Sequence, residues 1–258
     1  MGIRSTRPCL HALGDYATLV QVNIMTLTDL RDEEVSNAIS LSWETRDGRV
    51  VPATEEVQFA AGVRLNATVL YADLSQSSRL ATEIHQKTAA RVIRGFLRCM
   101  SRLITEHQGT VTAFDGDRVM GVFVGDQKNT YATVCALKMN YAVTNIIGPR
   151  VSNHFASLRD AGFKISHAVG IDTSPVLAIR AGQRGSDDLV WVGRAPNLAA
   201  RLSELREENY RSFISEDVFS VMLEPAKTHG GQLMWEKRGL SYLGEETSIY
   251  RSNWTWKP

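Results

Sequence analysis

Residues 114–123 read FDGDRVMGVF, and this stretch decides the fold. An apolar segment enters Asp115-Gly116, and a second apolar segment leaves from Arg118. Asp-Gly between two such segments is a strong β-hairpin signal. Glycine accepts a positive φ there, and the aspartate bonds its own backbone. That accounts for Asp115 and Gly116 but does not require Asp117. Asp117 is either a solvated turn acid or a ligand that meets a second acid at a shared cation.

The elements on either side of the hairpin set its context. RLNATVLYADL is a buried strand ending at Asp73. The run SQSSRLATEIHQKTAARVIRGFLRCMSRLITEHQG is helical, with Val92, Ile93, Phe96, Leu97, Met100, Leu103 and Ile104 on one face at a period of 3.6. After the hairpin, TYATVCALKMNYAVTNII is a second long helix. FKISHAVGID, VLAIRAG and LVWVG read as three strands. APNLAARLSELREEN is a helix with Pro196 in its first turn. RSFISEDVF supplies a short strand and helix, and GQLMWEKRG and TSIYRSN close the chain as strands. The order β-α-β-β-α-β predicts an α+β protein: a ferredoxin-like βαββαβ core with extra strands and a helix. Helices on one face of the sheet leave the other face open to a ligand or partner.

Residues 1–62 read as an N-terminal extension and linker, and 63–258 as the body. Within the extension, LTDLRDEEVSNAIS predicts a short helix, and WETRDGRVVPATEEV reads as turn and linker. The 258 residues are 43% hydrophobic and 22% charged with a net charge of +1, which fits a globular domain and gives no charge-based reason to expect nucleic acid or an anionic membrane. Cys9, Cys99 and Cys135 have no metal or redox spacing and suit a reducing, cytoplasmic setting. The apolar runs are too short for a bilayer span, so no direct membrane insertion is expected.

Asp73 lies where the first strand meets the first helix. Its two readings are helix N-cap and metal ligand. In this fold the first strand and the hairpin are sheet neighbours, so Asp73 and Asp117 can converge. Hard oxygen ligands without nearby His or Cys favour Mg²⁺ or Mn²⁺, and two such ions suit phosphoryl chemistry. In VGRAPNLAARL, Asn197 and Arg201 stand at i and i+4 on one helical face. An amide and a guanidinium there suit a ribose oxygen and a phosphate, or else a plain surface. RAGQRGSDD carries Arg180 and Arg184 on a glycine-rich stretch that either reaches a triphosphate or is an exposed loop.

These four elements, over residues 64–252, resemble the class III nucleotidyl cyclase domain. VLYADLSQSS is similar to that family's first metal motif, which implies a ligand at Asp73. FDGDRVMGVF is similar to its Gly-Asp hairpin, which implies the second ligand at Asp117. VGRAPNLAARL is similar to its Gly-x-x-x-Asn-x-x-x-Arg helix, which implies that Asn197 orients the ribose and Arg201 stabilises the pentavalent phosphorus. VGIDTSPVLAIRAGQRG is similar to its glycine-rich strand pair, with Ser174 where glycine is usual and Arg184 near the triphosphate arginine. The resemblance implies attack of a 3′-hydroxyl on the α-phosphate of a nucleoside triphosphate, with pyrophosphate leaving. It also implies two divalent ions per site and a head-to-tail homodimer.

The chain departs from the family where purine cyclases read the base. Ala113 stands in place of the usual Lys or Glu. Val190, or Leu189 if the alignment shifts by one, stands in place of the usual Asp, Thr or Cys. Apolar side chains cannot bond a purine edge. Phe114 and Trp191 either stack on a base or pack in the core. Glu245 falls near the family's C-terminal phosphate lysine, for which Lys237 or Arg238 is a replacement. The hairpin and the missing purine readers resemble the pyrimidine cyclases of bacterial Pycsar antiphage defence. That resemblance implies UTP or CTP as substrate and a cyclic product sensed by a separate effector.

Overall fold

The computed structural model describes residues 28–183 and 185–258. The chain forms two compact units, Met1–Glu44 and Thr45–Pro258. In the first, residues 28–40 form the helix expected there, α1. The larger unit begins ahead of the boundary read from composition, because the presumed linker packs. Val57 is buried in one apolar cluster with Val63 and Leu65.

The sheet of the larger unit is built on β2 (Ala61–Leu74). β1 (Glu44–Asp47) is tied to it by Asp47, which accepts from Nε of Arg64 at 3.2 Å. After β2 come α2 (Ser77–Glu83) and α3 (Gln86–Glu106), so the single predicted helical run is broken at Ile84–His85. The hairpin is β3 (Thr110–Asp115) and β4 (Arg118–Phe123), with Gly116 at φ 61° as the turn requires. α4 (Lys128–Tyr141) continues through a wider π turn into α5 (Gly148–His154), and α6 (Ala156–Asp160) leads to β5. The order along the sheet is β5-β2-β4-β3, and the β2–β5, β2–β4 and β3–β4 pairs are antiparallel. This is the expected split βαβ arrangement.

One strand expectation is corrected. The segments read as two separate strands, FKISHAVGID and VLAIRAG, are one strand, β5 (His167–Gln183). Pro175 looked like punctuation. It falls in a gap along one edge of β5, between the residues paired with β7 (Ser212–Ser215) and those paired with β6 (Ser186–Gly193). A proline there interrupts no ladder on that edge. β10 (Glu236–Tyr242) and β11 (Glu245–Ser252) extend the sheet beyond β7, and β8 (Thr228–His229) and β9 (Gln232–Leu233) form a separate ribbon.

The second face of the sheet is not left open, which corrects the one-sided layering expected from the element order. α3 and α4 bury Phe96, Met100, Ile104 and Leu137 against Leu70, Ala72 and Leu74. On the opposite face α7 (Arg194–Ser203) lays Ala195 and Ala199 against Val69 and Val176. The close approach is possible because residue 170 has no side chain. A Cβ there would lie well inside contact distance of the Ala199 carbonyl and the Ser203 amide, and 2.7 Å from Cβ of Leu202. Gly170→Ala is therefore expected to destabilise the domain by about 1–3 kcal/mol through overpacking. Urea unfolding should show a lowered midpoint at unchanged slope, and an unchanged midpoint would contradict the packing described.

Candidate active site

Asp73 is the penultimate residue of β2 and pairs across the ladder with Arg118 of β4. Asp117, one residue earlier in the hairpin, is thereby brought beside it. The proximity is felt electrostatically. Burial pushes the Asp73 carboxyl above its usual range, the guanidinium of Arg206 opposes this, and the charge of Asp117 raises it further. Asp73 is not a helix cap. The N-cap of α2 is Gln76, and the Asp73 carboxylate is ion-paired with Arg206. Nor is Asp117 simply a solvated turn acid, for its Oδ2 is buried and has no hydrogen-bond partner.

An unpartnered buried carboxylate oxygen is costly unless something cationic meets it. Two aspartates supplying hard oxygens fit Mg²⁺ or Mn²⁺. Among the described residues no group of three or more His, Cys, Asp or Glu is clustered to hold a metal by itself. A cation held by the pair would need further oxygens, and substrate phosphates are the natural source.

Arg118 organises the rim. Its guanidinium lies 5.2 Å from the centre of the Tyr71 ring, donates to Asp115 at 2.7 Å, and reaches Glu204 at 3.4 Å. Glu204 in turn accepts from Arg201 at 3.4 Å. The C-terminal end of α7 is thus tied to the hairpin.

Asn197 and Arg201 are exposed on α7, as their spacing predicts. Asn197 donates to the Gly193 carbonyl at 3.0 Å, and the Arg201 side chain is 52% exposed. Neither side chain is bonded to Asp73 or Asp117 among the described residues, although Arg201 shares Glu204 with Arg118 of the hairpin. Their helix is anchored by Ser174, already noted in the sequence, and by Arg194 with Asp172 and Asp217, which sequence reasoning did not single out. Ser174 accepts from the Ala195 amide at 3.0 Å, which gives a role to the serine that stands where the family has glycine. Arg194 makes two 3.0 Å bonds to fully buried Asp172 and also holds Asp217. Such bidentate pairs fix orientation as well as position. Nothing in the local sequence pairs Asp172 with a residue twenty-two positions on.

The residues expected at the base separate by face. Cross-strand partners share a face of a sheet. Ala113 pairs with Met120, Trp191 pairs with Ala178, and all four belong to the cluster that also holds Val69 and Ala199. Leu189 packs there too. Of the two alternatives, Leu189 shares the face of Ala113, whereas Val190 points away and is exposed. The Nε1 of Trp191 is buried with no acceptor. Phe114 pairs with Val119 on the α3 face and lines a groove with Ile93 and Leu97, so it is not brought to the others. A bulge in β3 between Val111 and Ala113 shifts the alternation that simple counting would assume. Arg184 lies outside the described residues. Lys237 is engaged by Glu216 at 2.6 Å, and Arg238 by Glu207.

Residues 61–231 match the adenylate and guanylate cyclase catalytic domain. The chain is 40% identical over 237 residues to a uridylate cyclase of Rhodovulum sp. (strain MB263), covering 91% of this chain and 99% of that protein. It is 39% identical over 219 residues to a uridylate cyclase of Xanthomonas perforans, covering 84% and 92% respectively. The crystal structure of the guanylyl cyclase Cya2 shares the fold with a TM-score of 0.63 at 20% identity, covering 76% of this chain and 96% of that one.

If the orphaned oxygen of Asp117 marks the cation site, Asp117→Asn should weaken Mn²⁺ binding by more than about a hundredfold, beyond what loss of an outer-shell partner does. Thermal stability should be unchanged or improved, because a buried charge is removed. Paramagnetic titration of free Mn²⁺ reads the affinity, and wild-type affinity in the variant would contradict the assignment.

Proposed function

The chain belongs to the adenylate and guanylate cyclase catalytic domain family and is a nucleotidyl cyclase, and from that premise we propose that it converts UTP to the 3′,5′-cyclic monophosphate and pyrophosphate. The observation that carries the chemistry is the β2–β4 register, which sets Asp73 beside an Asp117 whose Oδ2 has no partner. Asp73 and Asp117 hold divalent cations, Mn²⁺ or Mg²⁺, which supply neutralisation of the triphosphate and a more acidic 3′-hydroxyl. The O3′–Pα bond forms as the Pα–O bond to pyrophosphate breaks, and the hydroxyl proton is lost to solvent. Asn197 orients the ribose. Arg201 meets the charge that grows on the pentavalent phosphorus.

A pyrimidine base fits the apolar positions. Ala113 and Leu189 offer no group to bond a purine edge, and the indole of Trp191 fills space on the same face. The relatives named uridylate cyclase favour UTP over CTP. Arg184 serves the triphosphate. Asn197 and Arg201 are exposed and locally bonded, which suits a site completed across a homodimer. Residues 63–258 form the catalytic domain, with 1–62 as an extension whose residues 45–62 pack onto it. The resemblance to the Pycsar cyclases supports a second-messenger role in antiphage defence, with a separate effector sensing the product in the cytoplasm. Among the described residues no helix is long and apolar enough to cross a membrane.

Incubation with each of the four ribonucleoside triphosphates and Mn²⁺, followed by mass identification of products, should yield cyclic UMP as the dominant product. Cyclic AMP or cyclic GMP as dominant product would reject the pyrimidine assignment while leaving the fold intact. The shared site is tested by mixing. Asp117→Ala and Arg201→Ala proteins, each inactive alone, should recover activity together, through heterodimers with one intact composite site. No recovery in demonstrated heterodimers would contradict a site built from two chains.

A further inference from the structure

Behind the end of β2 lies a second cluster of polar groups that the cyclase chemistry does not use. Its centre is His167, the first residue of β5. His167 is 2% exposed, and neither of its ring nitrogens has a hydrogen-bond partner. It pairs across the ladder with Leu74, one residue past Asp73. Two adjoining cavities, of about 390 and 480 Å³, share His167, Lys164, Ser166 and Arg211 in their walls. Ser75, Gln76 and Arg206 close the second.

Glu207 and Glu208 also line the second cavity, and Arg206 is ion-paired with Asp73, which leaves Arg211 and Lys164 as the cations facing the hollow. Arg211 spends its Nη donors on backbone carbonyls of Glu207, Glu208 and Tyr210, at 2.7 to 2.9 Å. Those bonds fix the guanidinium without cancelling its charge. The nearby carboxylate of Glu207 is already held by Arg238 and by Arg251. Burial and the neighbouring charge of Arg206 both act against the charged form of Arg211. The same two arginines, with burial the larger cause, push the imidazolium of His167 down to about 3, so the ring is neutral and presents one N–H donor and one acceptor. With Glu207 engaged by Arg238 and Arg251, the guanidinium of Arg211, the ammonium of Lys164 and the buried imidazole outnumber the carboxylate of Glu208 around the hollow, which suits an oxyanion.

We propose that the hollow bounded by Lys164, His167, Arg206 and Arg211 is a binding site for a phosphate-class anion, distinct from the Asp73–Asp117 pair. Lys164 donates to the phosphate oxygens and the His167 N–H adds a neutral bond, while Arg211, held by backbone carbonyls, contributes its charge. Inorganic phosphate and pyrophosphate share this chemistry, and both cavities exceed the size of one phosphate group. The site communicates with the catalytic carboxylates through Arg206, which is ion-paired with Asp73. An anion in the hollow competes with Asp73 for that guanidinium. The inference does not depend on which base is cyclised.

The test uses full-length protein labelled in its histidines, with EDTA present and no nucleotide. Inorganic phosphate and pyrophosphate are titrated separately, and the ring resonances of His167, assigned by His167→Gln, are followed by NMR. A saturable shift is expected with pyrophosphate alone or with both anions. The first result marks the site for the reaction's leaving group, and the second for free phosphate as well. Lys164→Glu, a change at an exposed position, should weaken binding at least about tenfold, the loss of one charge-assisted bond. Arg211→Gln should do the same if it folds, and Lys164→Glu decides the matter if it does not. No saturable shift with either anion would overturn the proposal. So would a shift that survives Lys164→Glu unchanged, or one that appears only when Mn²⁺ replaces EDTA, which would assign the anion to the catalytic carboxylates.

Discussion

The register of β2 against β4 is the constraint on which the rest of the site depends. It sets Asp73 opposite Arg118, and the tight turn at Gly116 then leaves Asp117 beside Asp73. A slip of one residue would move every side chain of β2 to the other face. Asp73 would then enter the helical layer now occupied by Leu70, Ala72 and Leu74, and a carboxylate there would be buried without Arg206. The alternation of buried residues on both faces of β2 is what forbids the slip. The same apolar side chains that stabilise the fold thus place the two acids.

α7 is held to this frame from three sides. Gly170 lets its backbone approach β5, Ser174 accepts from its first turn, and Arg194 ties its start to Asp172 and Asp217. Removing Arg194 would leave a fully buried carboxylate with one charged partner fewer, and breaking such a pair costs up to about 3–5 kcal/mol before any discount for the half-exposed guanidinium. Rigid anchoring matters because Asn197 and Arg201 act, in the reading proposed, on atoms supplied across a dimer. A helix that tilted would lose orientation, and orientation is most of what positioned groups contribute to phosphoryl transfer.

Much of this was legible in the sequence, for identifiable reasons. The hairpin followed from Asp-Gly between apolar segments, and α3 from a 3.6 period. The placement of Asp73 beside Asp117 followed from the βαββαβ order. The single long β5 did not, because Pro175 resembles a break until the gap between β6 and β7 is known. The side of Phe114 was left open between base and core, and plain alternation after Ala113 turns it to the α3 face. Arg206, Arg194 and Asp172 were missed because their partners are brought to them only by tertiary packing. His167 sits in a strand where a histidine has no local signature. Its isolation from partners is a property of the folded surroundings alone.

The most direct measurement of the central claim is diffraction at the manganese absorption edge, from crystals grown with Mn²⁺ and a UTP analogue lacking the 3′-hydroxyl. The account predicts anomalous peaks within ligand distance, about 2.0–2.3 Å, of carboxylate oxygens from both Asp73 and Asp117. It also predicts that the triphosphate completes their coordination. Manganese bound elsewhere, or carried by the triphosphate with neither aspartate as ligand, would contradict it.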